Sequence, residues 1–378
     1  MGKKVPPKQQ FKPKPKPKPQ PSKPAQPPPA EPQPPTLPLP LQQTLLATFN
    51  TTFSPVLGSD AFPSLLQECK AALYARDFET AFANASRASL DAYAARWSPT
   101  RALAYAAVLL GVAGHLRQDV VAVRADSGED DAVVVGTVEK DVAFEKKDAE
   151  EEEKAQPKKS VRMLSVGGGA AEIVAFAAYL ASESLKGEVV LLDSAPWDDV
   201  VAKLHTALTT PPPLSKYASA ATKASNAALI APEDLRSTFT RRDVLSLTRE
   251  AMAETMGKEA LLVTLLFTLN ELYTSAGIGK TTTFLLNLTA TIPSGSLLLV
   301  VDSPGSYSEA AVGKESKRYP MQWLLDHTLV KDEPVEGCLW EKLESHDSVW
   351  FRLAETLQYP ISLENMRYQM HLYRATRP

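Results

Sequence analysis

The run Val161-Arg-Met-Leu-Ser-Val-Gly-Gly-Gly-Ala-Ala-Glu172 constrains this chain more than any other stretch, because an apolar strand leads straight into three glycines and then into a helix-forming segment. Glycine belongs at such a turn for two reasons: left-handed backbone angles cost little without a Cβ, and a ligand can approach the bare backbone closely. Over residues 173–185 apolar side chains recur at helical spacing, with alanines between them. The amides of Gly169 to Ala171 therefore stand at a helix N-terminus, which favours a polar ligand.

A second strand, Gly187-Glu-Val-Val-Leu-Leu-Asp193, ends in a carboxylate. An acid about twenty residues after such a glycine turn bonds a ribose diol. The glycine pattern lacks the third glycine of G-x-G-x-x-G, which admits a pyrophosphate bridging two nucleotides. S-adenosylmethionine, with a ribose and no phosphate, fits this turn better than a nicotinamide dinucleotide. Gly167, Gly168, Gly169, Glu172 and Asp193 are the expected cofactor residues.

Beyond Asp193 the α/β pattern continues. Phe239-Thr-Arg-Arg-Asp-Val-Leu245 reads as a short third strand and its turn, placing Asp243 to accept an adenine amino group and the backbone of Val244 to meet the ring edge. The apolar run 260–269 suits a strand covered on both faces, and it ends in Asn270-Glu271-Leu272-Tyr273. Polar residues at the carboxyl end of a central parallel strand lie in the crevice where ligands bind. A helix over 280–291 and a strand over 296–302 repeat the unit, and two antiparallel strands follow, at 348–352 and 366–374. The expected fold class is α/β: a Rossmann-like class I methyltransferase sheet with a C-terminal antiparallel hairpin, preceded by an N-terminal helical region. Thr274-Ser-Ala-Gly-Ile-Gly-Lys-Thr281 imitates a phosphate loop, but Thr274 stands where the first glycine is required, so Lys280 is read as the start of a helix.

Composition divides the chain further. Residues 1–42 hold 16 of the 31 prolines and eight lysines against the single acid Glu31, so this tail is expected to be extended and disordered. Residues 126–159 carry 12 acids against six lysines and read as a low-complexity insertion or linker. Between them, 43–125 read as helices, at 65–74, at 78–94, and in a third opened by Ser98 as N-cap with Pro99 in the first turn. Residues 160–378 form the cofactor-binding domain. The net charge of −3 means that RNA binding must use local patches plus the tail. Two cysteines, Cys69 and Cys338, and five histidines without metal-like spacing argue against disulfides and a metal site. With no signal core and no apolar run of spanning length, the expectation is an intracellular protein without a membrane partner.

The residues Tyr93 to Tyr105 around Arg-Trp-Ser-Pro, the turn Leu164 to Glu172, Phe267-Thr-Leu-Asn-Glu-Leu272 and Asn365-Met-Arg-Tyr-Gln-Met-His-Leu-Tyr373 together resemble the fungal ribosomal-RNA uridine-N3 methyltransferases, over residues 43–376 apart from the acidic insertion. The resemblance implies an S-adenosylmethionine enzyme that methylates N3 of a uridine in 25S rRNA, free or within a pre-ribosomal particle. It also implies a place in the nucleus and nucleolus, with the cytoplasm as the alternative. Under that reading Glu271 is the expected general base and Asn270 orients the uracil edge. Tyr273 or Tyr307 stacks on the base, and Arg96 and Arg101 grip RNA phosphates or close the cofactor pocket. Two other classes share the cofactor residues: a methyltransferase acting on a protein or small molecule, and a non-catalytic ribosome-assembly factor with the same fold.

Overall fold

The computed structural model describes Gly2 and residues 37–122, 158–305, 307–312 and 315–378, with the side chains of 307–318 left out. The Lys/Pro segment up to residue 36 and the acidic stretch 123–157 lie outside the described residues. The first six helices are α1 (Leu39–Thr52), α2 (Ser54–Leu57), α3 (Phe62–Tyr74), α4 (Arg87–Arg96), α5 (Ser98–Gly111) and α6 (Ala113–Asp119). α1, α2, α3 and α5 carry proline in the first turn, where its missing N–H has no intrahelical partner to lose. α1 begins inside the segment expected as tail. The helix expected over 78–94 is divided into a π-helical turn, Glu79–Ala83, and α4. α4 restarts because Ser86 Oγ accepts the N–H of Ser89 at 3.1 Å. Ser98 is not the N-cap expected of it: Trp97 takes that position, because α4 ends on the same residue, and Ser98 is buried in the first turn.

The α/β part runs β1 (Ser160–Val166), α7 (Ala170–Glu183), β2 (Lys186–Asp193), α8 (Asp198–Thr209), α9 (Ala220–Ala224), β3 (Leu235–Arg241), α10 (Arg249–Met256), β4 (Leu262–Leu266), α11 (Leu269–Ser275), α12 (Gly277–Thr291) and β5 (Leu297–Asp302). It continues with β6 (Tyr307–Val312), β7 (Glu315–Pro320), α13 (Met321–Leu329), β8 (Leu339–Phe351) and β9 (Met366–Thr376). The main sheet has the order β3-β2-β1-β4-β5-β9-β8; β1 to β5 are parallel, and β9 runs antiparallel to both β5 and β8. β6 and β7 form a separate antiparallel pair.

Every residue of β4 and β5 is buried, which explains their unbroken apolar sequence: helices cover both faces. α7 is buried all round from Ala170 to Leu180 because it lies between the sheet and α5. One core cluster runs from Leu37, Leu45 and Phe49 through Leu103 and Phe176 to Leu372, so the N-terminal helices and the sheet share a single interior. A second cluster, under α10, α12 and α13, covers the other face.

Three strands differ from expectation. β3 begins four residues earlier and ends before Asp243. β8 is far longer than 348–352. β4 stops at Leu266, because Phe267 takes a left-handed backbone (φ +60°) and α11 starts at Leu269. Asn270 and Glu271 therefore lie on the first turn of a helix instead of on a strand end. The stretch that imitates a phosphate loop spans the end of α11 and the start of α12, which opens at Gly277, ahead of Lys280. Among the described residues no helix is long and apolar enough to cross a membrane.

Candidate active site

The strand order reverses between β1 and β4, and ligands of open α/β sheets bind beyond the carboxyl ends at such a point. There a cleft encloses about 820 Å³ of empty space, part of it open to solvent. The glycine turn forms its floor. Gly167 is left-handed (φ +72°) and donates to the carbonyl of Leu192 at 2.8 Å. A Cβ on Gly167 would lie 2.2 Å from Thr268 Oγ1, and that hydroxyl is held in place by donating to the Val166 carbonyl at 3.0 Å. Gly169 faces the Trp197 ring, and both it and Gly167 line the cleft. Gly168 does not: its Cβ position is directed at Ser165 and Leu191, 2.7 and 2.9 Å away, so it serves close packing of turn on strand.

Four acids line the cleft, Glu172, Asp193, Asp243 and Glu271, and a fifth, Asp302, holds the start of α11 from the end of β5. Glu172, 6% exposed, accepts the N–H of Gly169 at 2.8 Å; burial raises its pKa against that bond and the charge of Arg101. Asp193, at the end of β2, accepts from the Ala195 N–H at 2.6 Å, and burial pushes its pKa up to about 7, with Glu172 adding to the rise. Glu271 lines the cleft from α11, and burial together with the Asp193 charge pushes it up to about 8, with Arg101 opposing. Asp302, buried at the end of β5, accepts from the N–H groups of Asn270 (2.9 Å) and Ser303 (2.8 Å), and burial raises its pKa to about 6. Asp243 and Val244 line the wall, and the Asp243 carboxylate accepts the Leu245 N–H at 2.9 Å and caps the short turn Val244–Ser246.

The opposing wall comes from the N-terminal helices. Arg101 donates to the Tyr93 hydroxyl and lies 5.1 Å from the Phe267 ring centre. Burial works against its charge, but Tyr93, Tyr105 and Glu172 outweigh that effect and raise its pKa. Phe82, on the π-helical turn, meets Tyr93 edge-on (5.1 Å, 85°), and Trp197 lies 5.7 Å from Tyr93. The Tyr105 hydroxyl, beside this wall, is buried with no hydrogen-bond partner among the described residues.

Several expected residues are not brought here. The Asn270 side chain is not part of the lining. Tyr273 is 2% exposed in the second core cluster. Arg96 pairs with Glu364 at 2.5 Å and sits over Trp97, away from the lining. The Tyr307 side chain lies outside the described residues. Phe82, Trp197, Thr268 and Asp302 were missed. Trp197, four residues after Asp193 in a crevice loop, and Asp302, ending an apolar strand, had a positional signal; Phe82 had none. Among the described residues no group of three or more His, Cys, Asp or Glu side chains suits a metal ion.

The donor set fits S-adenosylmethionine. A floor too tight for a Cβ, an acid at the end of β2, an aromatic wall and an excess of carboxylates suit a ribose, an adenine and a sulfonium cation, whereas a polyphosphate would meet repulsion. Sheet order, the antiparallel β9 and this crevice define a class I S-adenosylmethionine-dependent methyltransferase. The chain belongs to the family described as "Putative SAM-dependent methyltransferase", whose model matches residues 49–374. It is 30% identical over 331 residues, 82% of this chain and 76% of the relative, to the 25S rRNA (uridine(2843)-N(3))-methyltransferase of Saccharomyces cerevisiae. Similar solved structures include the antibiotic-resistance methyltransferase Kmr, at 15% identity over 58% of this chain and 87% of that one (TM-score 0.33). Another is an S-adenosylmethionine-dependent methyltransferase from Clostridium acetobutylicum, at 9% identity over 56% and 83% (TM-score 0.29).

Proposed function

We propose that this methyltransferase modifies N3 of a uridine in large-subunit ribosomal RNA, as part of ribosome assembly in the nucleolus, on free RNA or a pre-ribosomal particle. The observation that carries the reading is Glu271, a carboxyl held at about 8 on the rim of the cofactor cleft, where an acceptor with a weakly acidic N–H needs a base. The named activity of the yeast relative supports the same acceptor.

The bound cofactor supplies an electrophilic methyl group on a sulfonium. Asp193 would hold the ribose diol, the backbone of Gly167 and Gly169 would admit the cofactor closely, and Asp243 and Val244 would meet the adenine edge. Glu172 keeps the glycine turn closed by accepting the Gly169 N–H. Alignment of acceptor with donor and exclusion of water supply much of the rate, and the aromatic wall of Phe82, Tyr93 and Trp197 performs the exclusion. Glu271 in its ionised form takes the N3 proton on a carboxylate oxygen. The Asn270 N–H donates to Asp302 at the end of β5, which fixes the first turn of α11 and with it Glu271. N3 lies in the pairing interface of a duplex, so the uridine is looped out before it enters.

The test is in vitro methylation of rRNA by the purified protein, followed by nucleoside mass spectrometry. N3-methyluridine that requires both the cofactor and Glu271 supports the reading; methylation of protein or small molecules without RNA overturns it.

A further inference from the structure

Trp350 stands near the crevice end of β8, the edge strand of the main sheet, and is 37% exposed, whereas its neighbours Val349 and Phe351 are each 4% exposed in the core. The guanidinium carbons of Arg352 and Arg367 lie 5.1 and 5.7 Å from its ring centre. Arg367 is the cross-strand partner of Trp350 and donates from Nε to Ser348 Oγ at 2.8 Å. Among the described residues neither guanidinium has a carboxylate within ion-pair distance. The ladder register shifts between His346 and Val349, just before the tryptophan, and such irregularities re-aim side chains.

The register also fixes where this group lies. Asp302, at the end of β5, pairs with Gln369 on β9, and Arg367 is two residues further towards the crevice side. Two residues along a strand are about 7 Å, and two strand spacings are about 9–10 Å. The group therefore lies at the rim reached from β4 and β5, where Glu271 and Leu272 form the lining, and not at the aromatic wall of Phe82, Tyr93 and Trp197.

We propose that Trp350, Arg352 and Arg367 form a stacking platform for an unpaired nucleobase of the RNA strand that carries the methylated base. The proposal rests on RNA being the acceptor. Every base has a π-face that stacks on an indole or guanidinium plane, and the two arginines offer charge to the flanking phosphates. Selection would be for single strands and not for sequence. An apolar peptide is disfavoured as the occupant, because covering two unpaired guanidiniums would strip them of water.

The test is fluorescence anisotropy of fluorescein-labelled oligouridylate and of a labelled RNA duplex, titrated with the full chain and with Trp350→Ala, Trp350→Phe and the double variant Arg352→Gln/Arg367→Gln. Calorimetric titration with S-adenosylmethionine and the melting midpoint are measured alongside. The platform predicts that Trp350→Ala weakens oligouridylate binding about tenfold. Trp350→Phe keeps most of that affinity, the arginine variant loses part of it, and duplex binding, cofactor affinity and melting stay near wild type. Unchanged oligouridylate binding by Trp350→Ala overturns the platform and leaves the RNA acceptor standing, as does an equal loss for single strand and duplex. A wild-type protein that binds cofactor but neither RNA overturns the platform, and the acceptor is decided separately by the rRNA methylation assay.

Discussion

Glu172 accepts the amide N–H of Gly169 at 2.8 Å, so the first turn of α7 closes the glycine turn from which that helix starts. Glu172→Ala leaves that N–H unsatisfied in a buried site and is expected to cost about 1–2 kcal/mol. Glu172→Gln keeps an acceptor and should recover most of the loss. Thermal melting of both variants checks this, and equal destabilisation by Ala and Gln would show that the charge, and not the hydrogen bond, matters.

Gly167→Ala introduces a Cβ into a left-handed residue and against Thr268 Oγ1. Left-handed geometry alone costs about 1–2 kcal/mol for a residue with a Cβ, and the contact adds to it. The expected outcome is a lower melting midpoint with cofactor affinity reduced at least tenfold by calorimetry. Gly168→Arg should fail more broadly, since its side chain would enter the packing between Ser165 and Leu191. Wild-type cofactor affinity in a folded Gly167→Ala protein would contradict the turn's role.

Asp193→Ala removes the carboxylate at the end of β2 while leaving the strand intact. Cofactor affinity should fall by a factor of about ten or more, the worth of a charge-assisted hydrogen bond or two. Adenosine is the informative comparison ligand: it carries the ribose, so it should lose affinity in parallel. Loss for S-adenosylmethionine alone would move Asp193 away from the ribose.

The carboxyls of Asp302, Asp193 and Glu271, at about 6, 7 and 8, stand above their ordinary values of 3.8, 3.8 and 4.5. A raised carboxyl binds its proton more tightly in the folded than in the unfolded chain, so stability is fully present below the ordinary values and is lost as pH rises through 6 to 8. Melting midpoints should fall across that window, with a shallower fall in Glu271→Gln. Activity should move the opposite way, rising through about pH 8 as Glu271 ionises. Removal of the base is expected to lower the rate by about 10²–10⁴. A Glu271→Gln enzyme with an unaltered pH profile would rule Glu271 out as the base.

Two arginines read alike in the sequence part in the structure. Arg96 pairs with the exposed Glu364, and Arg96→Met should cost at most about 1 kcal/mol and leave cofactor affinity unchanged. Arg101 lies in the cleft among Tyr93, Phe267 and Glu172, so Arg101→Met should raise the cofactor dissociation constant clearly. Equal effects of the two substitutions in calorimetry would remove this distinction.

The elements with local causes were legible in advance. The strand-turn-helix around Gly167 is dictated by apolar periodicity and by the backbone freedom of glycine, and Asp193 by its place at the end of a strand, so both appear at their expected positions. Boundaries set by tertiary contact were not. Phe267 adopts a left-handed angle that nothing in its neighbours requires, and this moves Asn270 and Glu271 from a strand end onto α11. The break at 84–86 that carries Phe82 on a π-helical turn was equally invisible.

Sequence alone determined the sheet's repeating units, the glycine floor and the acid of β2, because each depends on residues within one turn or one strand of its neighbours. Only the tertiary structure decided that Phe82, Tyr93 and Arg101, far from the glycine turn in the chain, wall the same cleft. It alone buried Asp193, Glu271 and Asp302 deeply enough to raise their carboxyls to about 7, 8 and 6, with the charges of Asp193 and Asp302 adding to the rise at Glu271. The physical reason is that burial and charge act through space, and the packing that brings distant segments together leaves no periodic mark on the chain.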